Sequence, residues 1–180
     1  MSDAAATLRP ATEADVAAIA AIYNASVAVN TASWDTEPQT DAERLAWFQG
    51  RVEAGQAVLV AELAGRVVGW GSWGTFRPKA GYRMTMEHTL YVDETARGHG
   101  VGRLLMAGII DTAAAAGMHA LVGAVSSENE VSIALHERFG FVEVGRMPQT
   151  GAKFGRWLDL VWLQRLLADR PAPEAGAPGT

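Results

Sequence analysis

Residues 91–105 read YVDETARGHGVGRLL and place three glycines within five positions, at Gly98, Gly100 and Gly102. An apolar run precedes the glycines and a helical pattern follows them, so they occupy a strand-to-helix turn. Glycine costs stability at the start of a helix, because it loses much backbone freedom on folding. The unpaired amides at a helix N-terminus attract anions, and glycine lets a phosphate approach the backbone closely. The turn alone therefore fits either a phosphate site or a tight connection.

The spacing of this turn differs from two familiar phosphate motifs. The pattern Arg97-x-x-Gly100-x-Gly102 is not a P-loop, because no Gly-Lys-Ser/Thr follows it. It is also a poor dinucleotide fingerprint, since the preceding strand does not open a βαβ unit and no acidic residue is clearly placed after the next strand. The neighbouring segments must therefore identify the ligand.

Composition limits the class of protein. The chain has 180 residues, of which 49% are hydrophobic, so we expect one domain with a sizeable core. A net charge of −5 argues against broad binding to a nucleic-acid backbone. The absence of Cys excludes disulfides, thiol nucleophiles and zinc–thiolate sites, and we expect no metal. Without a signal-peptide pattern or an apolar run of roughly 20 residues, we expect a soluble cytoplasmic protein with no membrane partner.

Periodicity and capping signals predict a mixed α/β domain over residues 1–167 with one central sheet. Thr12 with Asp15 and Thr40 with Glu43 indicate two helix starts, and a hairpin turn separates two β-rich runs. The predicted strands are 7–12, 57–63, 66–74, 84–92, 119–125, 141–147 and 156–167, and the predicted helices are 12–27, 41–55, 101–116 and 130–139. The Pro/Gly/Ala-rich tail at 168–180 is expected to be disordered.

A series of motifs then resembles one superfamily. The order strand, Arg-x-x-Gly-x-Gly, helix, strand, Asn-x-x-Ser, helix, Gly-Phe and strand is similar to that of the GNAT acyl-CoA-dependent N-acyltransferases. The segments IYNASV, SWDTEPQT, FRPKAGYRMTMEHTLYV, RGHGVGRLLM, SIALHERFGFVEVG and KFGRWLDLVWLQ look like the phosphinothricin N-acetyltransferase group, which includes methionine sulfone and sulfoximine acetyltransferases. The match covers about residues 7–167. It implies a GNAT fold with a mixed, mostly antiparallel sheet flanked by helices.

The resemblance implies that acetyl-CoA is the co-substrate. The backbone from Arg97 to Arg103 is expected to bind the pyrophosphate, and the strand before it to pair with pantetheine like an added strand. In the family this strand diverges from the next one, and the thioester lies in the gap. The expected cofactor-binding residues are Leu90, Tyr91, Val92, Arg97, Gly98, His99, Gly100, Val101, Gly102, Arg103, Asn129 and Ser132.

Three groups are candidates for the chemistry. Glu87 taken alone fits a solvent-facing strand residue, but the T-x-E-H pattern resembles the one in which this Glu is the general base, acting through water. A carboxylate is a weak base, so burial must raise its pKa. The Leu90 N–H is the expected oxyanion donor. His136 stands where many members have a Tyr that protonates the thiolate, and it could donate a proton, contact CoA or pack. His88 is interpreted as a buried, hydrogen-bonded structural residue, and His119 as structural.

The loop directly before Glu87 carries the candidate acceptor site. A charge cluster is commonly a solvated surface, but Arg also binds carboxylate or phosphinate groups bidentately. The resemblance places the loop beside the acceptor pocket and implies a small amino-acid analogue: phosphinothricin, methionine sulfoximine or methionine sulfone. The expected substrate-binding residues are Trp34, Phe76, Arg77, Lys79, Tyr82, Arg83, Thr85, Glu87 and Lys153, with Trp73 as a further wall. Trp34 and Met86 depart from the usual Phe and Val of the family.

Two other functions stay open at this point. The chain could acetylate another amine, such as a polyamine or a peptide N-terminus, or it could be an acyl-CoA-binding module without turnover. The basic loop disfavours a cationic acceptor, and Glu87 disfavours the module. The resemblance also implies a homodimer with each pocket near the partner, and a resistance role. The apolar residues of 151–167 predict a strand that is buried on both faces.

Overall fold

The computed structural model describes residues 5–167, so the predicted tail at 168–180 lies outside the described residues. The predicted order of strands and helices is confirmed. The elements are β1 (Thr7–Pro10), α1 (Val16–Val29), α2 (Asp41–Glu53), β2 (Val58–Leu63), β3 (Arg66–Thr75), β4 (Thr85–Val92), α3 (Val101–Ala115), β5 (Ala120–Ser126), α4 (Glu130–Arg138), β6 (Val142–Lys153) and β7 (Arg156–Leu166). Short 3-10 turns precede α1, β4 and α3.

The strands form one sheet with the order β1-β2-β3-β4-β5-β7-β6. Neighbouring strands are antiparallel except β4 and β5, which are parallel. Helices α1 and α2 cover one side, with Ile19, Phe48 and Trp70 in its core, and we call this side the α1 face. Helices α3 and α4 cover the other side, the α3 face, where Leu105 and Leu163 are buried. The result is three layers with the sheet in the middle.

Local signals explain how the helices begin. The Thr40 hydroxyl accepts a hydrogen bond from the Glu43 amide at 3.3 Å, and the Glu43 carboxylate accepts one from the Thr40 amide at 2.7 Å. The Asp15 carboxylate accepts in the same way from the Thr12 amide at 2.8 Å. Both predicted capping boxes are therefore confirmed. The helix predicted over 12–27 starts as a 3-10 turn at Glu13–Asp15, and α1 itself runs from Val16 to Val29, two residues beyond the predicted end.

The last two strands differ from the prediction. β6 extends to Lys153 instead of ending near Met147, because the ladder with β7 resumes after a register shift around Pro148. β7 lies inside the sheet between β5 and β6, and Leu158 and Val161 on it are buried. Trp157, however, is 65% exposed, so the prediction of a strand buried on both faces is wrong at this end.

Candidate active site

A gap opens between the parallel strands β4 and β5. Their ladder pairs Thr85–His88 with Ala120–Gly123 and ends there, while β4 continues to pair with β3 as far as Val92. The second half of β4 therefore has backbone groups on one side that β5 does not reach. This is the geometry in which an extended ligand can pair with a strand.

The direction of the backbone groups identifies which amides face the gap. The Met84 carbonyl accepts hydrogen bonds from the first amides of the β5 side, whereas the Asp93 amide donates to Val68 on β3. Because backbone direction alternates along a strand, the even positions Leu90 and Val92 face the gap. The Tyr91 carbonyl instead lies against β3, next to Gly69. The main-chain groups of Leu90 and Val92, rather than those of Tyr91, are thus available to an extended ligand in the gap.

The glycine turn lies at the open end of this gap. Gly98 and Gly100 have φ values of 82° and 79°, and Gly100 is the N-cap of α3. Side-chain-bearing residues rarely adopt this left-handed conformation, so both positions require glycine. The Leu104 amide donates to the Gly100 carbonyl at 3.0 Å, which is the first intrahelical bond of α3. The three amides before it, from Val101 to Arg103, point out of the helix end.

These features fit a pyrophosphate group. A Cβ at Gly98 or Gly100 would meet nothing within 4 Å, so the backbone here is open to an approaching ligand. Arg97 and Arg103 are exposed beside the turn and supply positive charge. Asn129 caps α4: its side-chain oxygen accepts from the Ser132 amide at 3.1 Å. That cap positions the start of α4, and a cofactor-binding role for the two α4 residues stays a prediction.

Glu87 lies on the α1 face, half-buried, at the point where the β4–β5 ladder is about to end. Burial raises the pKa of Glu87 above its ordinary value, while the Arg77 and Arg51 cations act in the opposite direction. Its neighbour on β3 is Gly74, and a Cβ there would come within 0.9 Å of Arg51 Nη1. The guanidinium of Arg51 thus occupies the space that a side chain at Gly74 would fill, beside the candidate base.

Arg51 is a site residue that the sequence analysis missed. It lies on α2, its Nη1 donates to Gln56 Oε1 at 2.8 Å, and its guanidinium carbon lies 5.7 Å from the ring centre of Trp47. The one sequence feature that could have indicated Arg51 is the glycine at position 74, which leaves space beside Glu87. Gly74 can be placed opposite Glu87 only when the register of β3 against β4 is known. Arg51 and Arg77 thus place two cations near one carboxylate.

A cleft of about 420 Å³ is lined by Thr85 and by Val122, the β5 partner of Glu87, but not by Glu87 itself, and we call it the Arg77 cleft. Four predicted substrate-binding residues line it: Phe76, Arg77, Tyr82 and Thr85. The remaining lining residues come from β5, β6 and β7 and were not predicted: Val122, Val144, Gly145, Met147, Trp162 and Gln164. The Phe76 ring packs edge-on against Tyr82 and Trp162 at 5.7 and 5.9 Å, and Arg77 lies 5.0 Å from its centre.

Other predicted substrate-binding residues lie elsewhere. Lys79 and Arg83 are exposed and do not line the Arg77 cleft. Lys153 is buried, and its Nζ donates to the carbonyl oxygens of Asn30 and Ser33 at 3.0 and 2.7 Å. The ring of Trp34 lies against Gly151, where a Cβ would come within 2.2 Å of it. Trp34 and Lys153 thus connect the loop after α1 to β6, and their contact with substrate stays a prediction.

Trp73 lies on the opposite face of the sheet from Glu87. It is buried in the α3-face core, and its Nε1 donates to the Thr112 hydroxyl at 3.0 Å. The prediction that Trp73 lines the acceptor pocket is therefore wrong. Alternation along β3 explains the result, because Trp73 pairs with His88 and Gly74 pairs with Glu87.

His88 and His136 form a buried pair on the α3 face. Their rings stack at 5.0 Å, and both pack against Phe141. The burial of His88 is confirmed, but the predicted hydrogen bonding is wrong, because neither ring nitrogen has a partner among the described residues. Burial, and next His136, lower the pKa of His88 to about 3. Burial also lowers the pKa of His136, whose Nδ1 donates to the Ser132 carbonyl at 2.7 Å.

Relatives of this chain are acetyltransferases. It is 46% identical over 170 residues to an L-methionine sulfoximine/L-methionine sulfone acetyltransferase of Pseudomonas paraeruginosa, covering 93% of this chain and 99% of the relative. It is 44% identical over 169 residues to the L-amino acid N-acyltransferase MnaT of Escherichia coli, covering 94% and 98%. It is 38% identical over 173 residues to a phosphinothricin N-acetyltransferase of Alcaligenes faecalis, covering 94% and 88%.

Solved structures agree closely with the fold. The structure of yncA from Salmonella typhimurium with its cofactor acetyl-CoA has a TM-score of 0.92 and 43% identity, covering 95% of this chain and 99% of that one. A phosphinothricin acetyltransferase from Sinorhizobium meliloti in complex with acetyl-CoA has a TM-score of 0.91 and 33% identity, covering 96% and 94%. A ribosomal-protein-alanine N-acetyltransferase from Brucella melitensis has a TM-score of 0.87 and 44% identity, covering 89% and 99%.

The open strand pair, the glycine turn and these relatives together define a transferase that uses acetyl-CoA to acetylate amines. The chain belongs to the Acetyltransferase (GNAT) family, whose family model matches residues 19–141. Within the described residues, no helix is long and apolar enough to cross a membrane. The described range also contains no group of three or more His, Cys, Asp or Glu side chains placed to hold a metal ion.

Proposed function

We propose that this enzyme acetylates the amino group of a small amino-acid analogue of the methionine sulfoximine, methionine sulfone or phosphinothricin type, with Glu87 as general base. The observation that carries the proposal is the position of Glu87 between the β4–β5 gap and the Arg77 cleft. The cleft combines an arginine with aromatic walls, which suits a polar, tetrahedral sulfur or phosphorus group. The names of the relatives support the same substrate class.

The proposed reaction is a direct attack on the thioester. Glu87 accepts a proton from the acceptor ammonium through a water molecule, and the free amine attacks the acetyl carbonyl carbon. The Leu90 amide, which faces the gap, donates a hydrogen bond to the oxyanion that forms. The C–S bond then breaks, the nitrogen loses its second proton, and the CoA thiolate takes up one proton. The products are the N-acetyl amide and CoA thiol, with one proton released overall.

The proton donor to the thiolate is a separate question. A general-acid role for His136 stays a prediction, and its geometry favours a structural role instead. Nδ1 carries the hydrogen that it donates to Ser132, so Nε2 of the neutral ring is unprotonated. Nε2 also points at Gly123, where a Cβ would come within 2.5 Å of it. Solvent at the mouth of the gap is therefore the simpler source of the proton.

A second acceptor class has one specific observation in its favour. The similar structure from Brucella melitensis is named a ribosomal-protein-alanine N-acetyltransferase, and this name gives an alanine of a protein as its acceptor. A polyamine acceptor is disfavoured, because Arg77 and Arg51 lie near Glu87 and would repel a second cation. The peptide acceptor is therefore the alternative that an experiment must separate from the free amino acid.

A thiol-release assay with acetyl-CoA and a panel of amines tests the proposal. The panel holds L-methionine sulfone, L-methionine sulfoximine, phosphinothricin, an alanine-initiated peptide and spermidine. We expect kcat/KM to be highest for one of the three amino-acid analogues. Higher turnover of the peptide would favour the second class, and acetyl-CoA binding without thiol release on any amine would indicate a non-catalytic module.

The expected homodimer and cytoplasmic location stay predictions. Strands β6 and β7 and the turn between them carry apolar side chains that are more than 40% exposed, and these suit a contact with a second copy. The exposed residues are Val142, Val144, Met147, Phe154, Trp157 and Leu166. Light scattering coupled to size-exclusion chromatography tests this proposal, and a mass near the 19.1 kDa of one chain would contradict it.

A further inference from the structure

A second, smaller cavity contains a buried arginine. Arg44, on α2, is 3% exposed, and its guanidinium carbon lies 4.3 Å from the ring centre of Tyr23, 4.8 Å from that of Trp47 and 5.3 Å from that of Trp70. It lines a cavity of about 190 Å³ together with Tyr23, Gln39, Trp47, Trp70, Thr89 and Tyr91. We call this cavity the Arg44 pocket.

The charge of Arg44 has no carboxylate paired with it among the described residues, and the hydroxyl of Tyr23 is its nearest polar neighbour. Its Nε and Nη2 atoms are enclosed, and neither has a hydrogen-bond partner among the described residues. The ion pairs of the described residues do not include Arg44. The nearest acidic influence is Asp35, whose carboxylate already accepts a hydrogen bond from the Tyr23 hydroxyl. Aromatic faces stabilise a cation only in part, so the guanidinium remains an unsatisfied binding group for an anion.

The size of the pocket limits what can bind there. Pockets for whole drug-sized ligands occupy roughly 300–1,000 Å³. At about 190 Å³, the Arg44 pocket suits one end of a small molecule rather than all of it. An arginine guanidinium recognises a carboxylate through charge-assisted hydrogen bonds, and Arg44 is the one cationic residue among the described residues that line this pocket. A carboxylate is the group that fits this combination of size and charge.

The two cavities lie on either side of Glu87. Thr85, Glu87 and Thr89 share one face of β4, and successive members of this row are about 6.6 Å apart. Thr85 lines the Arg77 cleft and Thr89 lines the Arg44 pocket. An α-amino acid carries its carboxylate and its side chain on the carbon that bears the amine. With the amine near Glu87, these two arms extend in opposite directions along the row.

We propose that the Arg44 pocket binds the α-carboxylate of the acceptor, while the Arg77 cleft binds its polar side chain. The assignment rests on the proposed function, because it requires an amino-acid acceptor. The assignment predicts that the enzyme prefers an amino acid over a simple amine with the same side chain. It also predicts weaker binding of a peptide acceptor, because the N-terminal residue of a peptide has no free α-carboxylate to place in the pocket.

Two acceptors that differ only in the carboxylate test the assignment: L-methionine sulfone and 3-(methylsulfonyl)propan-1-amine. For the wild-type enzyme we expect kcat/KM to be at least 10-fold higher for the amino acid. Arg44→Met removes the charge and keeps the length of the side chain. Because a hydrogen bond to a charged group contributes about 1.5–3 kcal/mol, the variant should lose roughly 10- to 100-fold in kcat/KM with L-methionine sulfone. With the amine it should change less than threefold.

Controls separate binding from folding. Arg44→Lys keeps a cation but loses the planar fork, so it should lose part of the same preference, with the amine again unaffected. Arg138→Met removes an exposed arginine on α4 and should leave kcat/KM unchanged for both acceptors. Thermal melting and the KM for acetyl-CoA check that each variant is folded. The wild-type comparison needs no variant, so the proposal stays testable if Arg44→Met does not fold.

Several results would overturn the assignment. Equal losses with both acceptors in folded Arg44→Met would mean that the arginine supports the structure and does not bind the carboxylate. Equal kcat/KM values of the wild-type enzyme for the two acceptors would also show that the α-carboxylate is not bound. If the wild-type enzyme acetylates neither these acceptors nor the other amino-acid analogues, the proposed function fails first, and this assignment fails with it.

Discussion

Glu87 and His88 are neighbours on β4, yet their side chains lie in different environments. Glu87 faces the α1 side, where the Arg77 cleft opens beside it and two arginine cations lie near its carboxylate. His88 faces the α3 side, where it is 6% exposed and stacks on His136. Each has a glycine across the strand: Gly74 on β3 opposite Glu87 and Gly123 on β5 opposite His88.

The difference lies in what fills the space that each glycine leaves. At Gly74 the space holds the Arg51 guanidinium, and at Gly123 it holds the two imidazole rings. Burial favours the neutral form on both faces, so it raises the pKa of Glu87 and lowers that of His88. Only Glu87 combines this shift with nearby cations and an open cleft. In this protein a shifted pKa therefore indicates a catalytic group only where the group is also accessible to substrate and lies near charged side chains.

Removal of the Glu87 carboxylate should have the largest effect. We expect Glu87→Gln to lower kcat by about 10²- to 10⁴-fold, because the amide cannot accept the proton of the acceptor ammonium. Acetyl-CoA binding, measured by calorimetry, should stay within a few-fold of wild type, since the gap and the glycine turn are untouched. A kcat that matches wild type across the pH range would contradict the general-base role.

Replacement of His88 should affect stability and not chemistry. The pKa of His88 is lowered in the folded protein, so the unfolded chain binds the extra proton below pH 6.5, and stability falls as the pH drops from there toward about 3. The loss is about 1.4 kcal/mol per pH unit for one proton. Between pH 6.5 and 5.0 it amounts to about 2 kcal/mol from this residue. The free energy of unfolding of His88→Leu should fall by correspondingly less than that of wild type between these two pH values. Urea unfolding at pH 6.5 and at pH 5.0 measures the difference.

Two readouts separate this effect from a general loss of packing. At pH 7.5 His88→Leu should keep kcat within threefold of wild type, since the side chain faces away from the Arg77 cleft. If wild type and variant lost the same unfolding free energy between pH 6.5 and 5.0, His88 would not carry the pH dependence.

The order of elements on both faces was predictable because its signals are local. Capping boxes, the hairpin turn and the strand-to-helix glycines each act within a few residues, and all appear in the structure at the predicted places. The family was also predictable, since spaced motifs such as the Arg97–Arg103 turn and the Asn129 cap occur in order. The length of β6 was not predictable, because the register shift around Pro148 depends on pairing with β7.

The walls of the site were only half predictable for the same reason. Phe76, Arg77 and Thr85 are close to Glu87 along the chain, so one segment brings them together. Trp162 and Gln164 reach the cleft through the non-sequential order β5-β7-β6, which no local pattern encodes. The two backbone carbonyls that Lys153 contacts were not predictable either, because a positive charge in the sequence suggests an anionic partner.

Loss of Arg51 should produce a smaller, pH-dependent effect. This cation lowers the pKa of Glu87, so Arg51→Met should raise it and move the acid limb of the kcat/KM profile to higher pH. We expect a small shift, because the side chain is partly exposed and solvent screens the charge. On the acid limb kcat/KM should fall about two- to fivefold, as expected for a screened charge pair, while the rate above the limb stays near that of wild type. An equal loss at every pH would instead indicate a packing defect.

The smallest expected effect comes from filling the space at Gly74. A Cβ there would lie 0.9 Å from Arg51 Nη1, which is the flexible end of a side chain, so Gly74→Ala should fold and push the guanidinium aside. The acid limb should move in the same direction as in Arg51→Met, but by less, because the charge is displaced and not removed. In the double variant Gly74→Ala/Arg51→Met the limb should match that of Arg51→Met alone. Additive shifts in the double variant would mean that Gly74 acts on Glu87 by another route, and that Arg51 does not explain the difference between the two faces.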